Sequence, residues 1–182
     1  MRELNVNELK YAARELKAGD RVKLSGEVYT ARDAAHLKIF ELLDAGKEPP
    51  FEIKNAVIYY TGPTPGREGM PVGACGPTTS GRMDIFTPRL LDMGLAAMIG
   101  KGERSPEVNR AIVRNGSVYF CAVGGAGALI ARHVTEAEET AFFELGCESV
   151  KKLTIKDLPV IVAVDRAGGD IFTEGRKKYA LV

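Results

Sequence analysis

A chain of 182 residues, 45% of them hydrophobic, is long enough to bury one real core and reads as a single globular domain over residues 1–182. Its 25 lysines and arginines nearly balance 24 aspartates and glutamates, a net charge of +1, which removes the electrostatic basis for holding nucleic acid or an anionic membrane. No apolar run reaches the roughly 20 residues of a membrane span, the opening MRELNVNELKYAARELKAGD is too charged for a secretion signal, and three cysteines without a CxxC do not make a disulfide framework, so a reducing, cytoplasmic setting is expected.

In chain order, NVNELKYAARELKAGD (5–20) predicts a short amphipathic helix ending near Gly19, and RVKLSGEVYTA (21–31) has the alternation of a strand pair or one bent strand. TARDAAHLKIFELLDAG (30–46) predicts a helix with Thr30 as N-cap, Asp33 in the capping-box position and Gly46 as its stop. A buried strand, NAVIYYTG (55–62), precedes an irregular stretch over 63–84, PTPGREGMPVGACGPTTSGRMD, and loops of that length are functional or disordered. TPRLLDMG (87–94) reads as a helix capped by Thr87, LAAMIG (95–100) as a short strand, and SPEVNRAIVRNG (105–116) as a helix between a serine cap and a glycine stop. SVYFCAV (117–123) is a strand, GGAGALIARHV (124–134) a glycine turn into a helix, and LPVIVAVD (158–165) a final buried strand. Apolar strands separated by helices of about ten residues argue an α/β fold, with a mixed sheet because the early strands lie close together.

Chemistry concentrates in a few places. The loop 73–84 joins glycines, which let backbone approach a ligand, to Thr78, Thr79, Ser80 and Arg82; feeding a helix N-terminus it suits a carboxylate or phosphate, and otherwise its hydroxyls satisfy their own backbone. Arg32 stands at a strand-to-helix seam with His36 one turn on, a place where α/β sheets bind ligands and where arginines are also commonly just solvated. Lys101 follows a buried strand between two glycines, as a site lysine or a turn lysine does. The run GGAGAL (124–129) is not GxGxxG and reads as a tight turn. Cys121 and Cys147 read as small hydrophobes rather than cluster ligands; Cys75 alone lies beside plausible chemistry. The residues by themselves support an anion-binding α/β domain.

Taken together, GDRVKLSGEVYTARDAAH, VIYYTGPTP, GPTTSGRMD, MIGKGERS and VYFCAVGGAGALIA resemble, in order from about Gly19 to Asp170, the β subunit or C-terminal domain of class I fumarate hydratases, an architecture shared with L-tartrate dehydratases. The resemblance implies a swivelling β/β/α domain with a mixed sheet that closes over a 4Fe-4S cluster held by a separate α subunit. Cys75, Cys121 and Cys147 then lie outside the ligand set, and this chain binds no metal. It further implies Arg32 and Arg82 as carboxylate-binding arginines, Lys101 as a third substrate-binding cation, Thr78 as the base at C3 of malate, and Asp33, His36 and Thr79 in supporting roles. The implied reaction is reversible hydration of fumarate to (S)-malate. Two alternatives stand beside it, the same chemistry on tartrate giving oxaloacetate, and a non-catalytic dicarboxylate-binding domain. Expected partners are the cluster-bearing α subunit and a small dicarboxylate, with a homodimer open for the isolated chain.

Overall fold

The computed structural model describes residues 1–180. Seven strands form a mixed sheet: β1 (Arg2–Asn5), β2 (Arg21–Thr30), β3 (Val57–Tyr59), β4 (Ala97–Gly100), β5 (Val118–Cys121), β6 (Val134–Ala141) and β7 (Val150–Val164). Strands β2, β3, β4 and β5 are parallel neighbours, and the antiparallel β7 pairs with both β5 and β2, closing a five-stranded barrel. β1 adds to β2 and β6 to β7 outside the ring.

Alternation along the strands sorts side chains into two cores. Val57, Tyr59, Ala97, Ile99, Val118 and Phe120 fill the barrel with residues of β2 and β7. Ile58, Tyr60, Met98 and Tyr119 face outward into an apolar layer covered by helices. Those helices are α2 (Asp33–Asp44), α3 (Thr87–Asp92) and α4 (Pro106–Asn115). Two shorter helices, α1 (Leu9–Ala12) and α5 (Gly127–Ala131), contribute Leu9 and Ile130 to the barrel core, and α6 (Ile171–Tyr179) follows β7. Among the described residues no helix is long and apolar enough to cross a membrane.

Several local expectations change. The helix expected over 5–20 is mostly something else: β1 pairs with Val22–Ser25 of β2, a 3-10 turn spans Val6–Glu8, and only four residues form α1. Tertiary pairing overrides a helical pattern there. Thr30 does not cap α2; its hydroxyl donates to Ser149 O (3.2 Å) and accepts from Lys151 N (2.9 Å), tying β2 to β7. The N-cap position belongs to Arg32, and the carboxylate of distant Glu148 accepts from Ala34 N instead. Thr87 is the first residue of α3 and not its cap; its hydroxyl donates back to Met83 O at 2.8 Å. The loop 63–84 ends in a single 3-10 turn, Ser80–Met83, without a side-chain cap, so Thr78, Thr79 and Ser80 do not open an α-helix whose dipole could hold an anion. RVKLSGEVYTA is one strand bent at a bulge between Leu24 and Gly26. The charged segment VTEAEETA forms β6, and residues 150–157 extend the last strand far upstream of Leu158.

Candidate functional site

Parallel strands bring their C-terminal ends to one end of the barrel, and the segments leaving them carry the candidate residues. Arg32 and Asp33 follow β2, Thr61 and the long loop follow β3, and Lys101 and Arg104 follow β4.

The glycine-rich loop is held by its backbone. Tyr59, inside the barrel, donates its hydroxyl to Cys75 O at 2.6 Å, and Thr61 Oγ1 donates to Gly76 O at 2.8 Å. Cys75 N donates to Gly127 O at 2.9 Å, docking the loop on the turn after β5. That contact is tight at Gly127, where a Cβ would lie 3.2 Å from Gly76 N. Thr78 N–H donates to Tyr60 O (2.6 Å) and Thr78 O accepts from Lys101 N (3.2 Å), so the loop continues the parallel sheet for one residue, with a Thr79–Lys101 bridge. Ser80 N donates to Lys101 O at 2.9 Å. Thr78, Thr79 and Lys101 are therefore neighbours through main-chain bonds, as sequence alone could not establish.

Arg82 leaves the 3-10 turn and meets Asp33 at the start of α2, Nε donating to Oδ1 at 2.9 Å and Nη2 lying 2.8 Å from Oδ2. Asp33 does not close a capping box; it holds Arg82 by one edge of the guanidinium and leaves Nη1 for another acceptor. Arg32 is half-buried, its Nη2 3.3 Å from Glu148 Oε1, and its buried Nε has no partner among the described residues. Its side chain packs over Gly62, where a Cβ would lie 3.1 Å from Nη1. Arg32 is thus neither merely solvated nor saturated. Lys101 is exposed and runs toward Gly124, and no carboxylate of the described residues pairs with it.

His36 lies behind this rim, fully buried against Phe86 and Tyr60. Its Nδ1–H donates to Arg32 O at 2.8 Å, leaving Nε2 as an unpartnered acceptor. Burial pushes its pKa down to about 4, so it is neutral near pH 7 and supports the seam by packing.

Two residues of this region carried no expectation. Arg104 is buried with its guanidinium between the rings of Tyr60 and Tyr119, donating to Asp84 Oδ1 (2.7 Å) and Thr87 Oγ1 (2.8 Å). Asp84 in turn accepts from Ser105 N at 2.6 Å, so the turn bearing Arg82 is locked to the segment bearing Lys101. An arginine directly before the cap Ser105 was the available signal. Glu148, which orients Arg32, gave none, because it arrives from the 3-10 segment Phe143–Glu148, remote in sequence.

The cysteines occupy separate environments. Cys75 is buried, with its thiol pushed up to about 11 by burial, Cys121 is half-buried on β5, and Cys147 is exposed. Among the described residues no group of three or more His, Cys, Asp or Glu side chains is placed to hold a metal ion. This chain's residues do not fit an iron–sulfur cluster of their own.

Residues 1–175 match the family described as fumarase C-terminus. The class I anaerobic fumarate hydratase of Escherichia coli K12 is 40% identical over 156 residues, which cover 85% of this chain and 28% of that protein. Fumarate hydratase 2 of Leishmania major is 35% identical over 171 residues, covering 93% of this chain and 30% of its own. A Methanocaldococcus jannaschii protein provisionally named L(+)-tartrate dehydratase subunit beta is 37% identical over 171 residues, covering 91% of this chain and 88% of its own. The chain spans under a third of those two fumarate hydratases and most of the Methanocaldococcus protein.

Proposed function

The chain belongs to the fumarase C-terminus family, and from that membership we propose that it is the cluster-free β component of an iron–sulfur hydro-lyase that hydrates fumarate to (S)-malate with a cluster-bearing α partner in the cytoplasm. The observation that carries this reading is that Arg32, Arg82 and Lys101 leave the C-terminal ends of three parallel strands at one end of the barrel, with unpartnered donor capacity on Arg32 and Lys101.

A dicarboxylate brings two negative charges to such an end. Arginine forks and a lysine bind them through charge-assisted bonds of about 1.5–3 kcal/mol each and fix the orientation of the carbons between them. Asp33 and Glu148 set the two guanidiniums in place. Thr78 takes the proton from C3 of malate, or returns it to C3 in the hydration direction, and the nearby cations stabilise the charge that builds on the adjacent carboxylate as that proton leaves. A hydroxyl is a weak base at neutral pH, and the positive surroundings lower its pKa. Thr79 anchors the strand-like contact with Lys101, and the domain swivels against its partner to admit substrate. Any cluster would come from the partner, so the roles assigned to this chain are binding, orientation and proton transfer.

A second reading, tartrate to oxaloacetate, is favoured by the match over 88% of a protein named as a tartrate dehydratase β subunit. Anaerobic co-purification with a cluster-bearing subunit from the same organism, assayed on fumarate and tartrate in parallel, tests both. Malate formed only when both chains are present supports the first, activity confined to tartrate supports the second, and failure to form any complex leaves a non-catalytic dicarboxylate-binding domain.

A further inference from the structure

The opposite end of the barrel holds a second cationic centre. Lys54 precedes β3, Arg166 follows β7, and Lys10 and Arg14 come from α1 and its exit; together they line a cavity of about 310 Å³. Asn55, with a left-handed φ of 63°, Asn115, Gly116 and Ser117 complete its polar wall. Because Lys54 and Gly116 precede β3 and β5, while Arg32 and Lys101 follow β2 and β4, strands parallel to them, this cavity and the dicarboxylate site lie at opposite poles of the fold.

No carboxylate lines the cavity, and none of its four cations forms an ion pair among the described residues. Arg2, Arg89, Arg114 and Arg176, elsewhere on the surface, each have a carboxylate within 2.8 Å. The C-terminal ends of α3 and α4 meet at this cavity, where Lys54 packs on Gly94 and the Arg166 guanidinium on Gly116. Each helix end contributes at most about half a negative charge, so the two together offset roughly one of four positive charges. Four like charges held around one concavity repel one another until an anion enters.

We propose that this cavity binds a small polyanion carrying two or more adjacent phosphate or carboxylate groups. Arg14 and Arg166 supply planar forks, Lys10 and Lys54 point charges, and Asn55 an amide that accepts or donates at the rim. The site is independent of the hydro-lyase reading, since none of its residues touches the proposed dicarboxylate site.

The test is amide chemical-shift titration of the 182-residue chain with pyrophosphate, ADP and citrate at fixed ionic strength. Saturable shifts at Asn55, Gly116 and Arg166 with at least one of the three, at a Kd below about 1 mM, are expected. The double variant Arg14→Gln/Arg166→Gln should weaken that binding at least about tenfold with an unchanged melting temperature, and Arg82→Gln should leave it intact. Lys10→Gln/Lys54→Gln provides a second pair should the first fail to fold. Pyrophosphate and ADP binding without citrate names a phosphate ligand, and the reverse names a polycarboxylate. Shifts confined to the Arg82 and Lys101 end, no saturation with any probe, or undiminished affinity in the folded variants overturn the proposal.

Discussion

Arg82, on the 3-10 turn, and Asp33, the first residue of α2, meet at one end of the barrel through two contacts, Nε to Oδ1 at 2.9 Å and Nη2 to Oδ2 at 2.8 Å. The Arg82 side chain is 52% exposed, so the pair adds at most about 1 kcal/mol to stability. Its value lies in orientation. Arg82→Ala should therefore lower kcat/KM of the assembled enzyme about 10- to 100-fold while shifting the melting temperature little. Asp33→Asn should raise KM more than it lowers kcat. Near-normal kinetics for Arg82→Ala would remove it from the site.

Thr78 has both backbone groups committed to the sheet, so replacing its side chain leaves the main chain where it is. Thr78→Ala should depress kcat by about 10²- to 10⁴-fold with a much smaller change in KM, and Thr78→Ser should restore a large part of the loss. A rise in KM with kcat intact would assign Thr78 to binding instead.

His36 has a folded-state pKa of about 4 against an ordinary 6.5. The unfolded chain then binds the extra proton first as pH falls, so the folded state is fully favoured above pH 6.5 and loses stability between 6.5 and 4, by up to about 3 kcal/mol. Chemical denaturation across that window, compared with His36→Gln, measures it. The variant should lose this part of the pH dependence, and an identical slope in both proteins would reject buried neutral His36 as its origin.

Gly100 ends β4 against Ser80, and a Cβ there would overlap Ser80 Oγ and lie 3.0 Å from Tyr60 Cδ2. Ser80 cannot yield easily, since it is buried and accepts from Tyr119 OH at 2.8 Å. Gly100→Ala should cost about 1–3 kcal/mol and raise KM by displacing the turn that carries Arg82. Gly175→Ala in α6, where nothing lies within 4 Å, is the control and should be neutral or slightly stabilising by thermal melting.

The thiols should divide by environment. Cys147 is exposed and should be alkylated quickly in the native chain, whereas Cys75, buried with a pKa of about 11, should react only on unfolding. Mass spectrometry of the time course distinguishes them. Cys75→Ser should leave the iron content of the assembled complex unchanged, and a loss of iron would make Cys75 a ligand.

The sequence made the α/β class legible, because strands such as VYFC and helices such as PEVNRAIVRN carry local signals: a short apolar run of β-branched and aromatic residues, a capping serine whose Oγ accepts from Val108 N, and a left-handed Gly116. It did not reveal the closure of the barrel. That closure depends on β7, whose first half, VKKLTIKD, is too polar to read as a strand until it is seen pairing with β2 on one edge and β6 on the other. β6 itself, VTEAEETA, lies largely exposed and has no apolar face for a pattern to find. Arg32, Thr78, Arg82 and Lys101 could be singled out by residue type and resemblance, but their adjacency rests on main-chain bonds and on Asp33. Glu148 was invisible for the same reason, since an ion pair across more than a hundred residues leaves no local trace.

Ring closure also dictates the order in which the molecule can be made. Val22 of β2 has its partner in Val160 of β7, so a ribosome releasing the chain at about 5–20 residues per second exposes β2 through β5 for several seconds before the strand that seals them exists. During that interval one edge of β2 and one of β5 stand open to wrong partners. The final step joins segments distant in sequence and is correspondingly slow. Arrival of β7 is therefore the event that commits the chain to its native form, and a chain stalled before residue 150 presents a sheet with two unsealed edges to whatever chaperone is near.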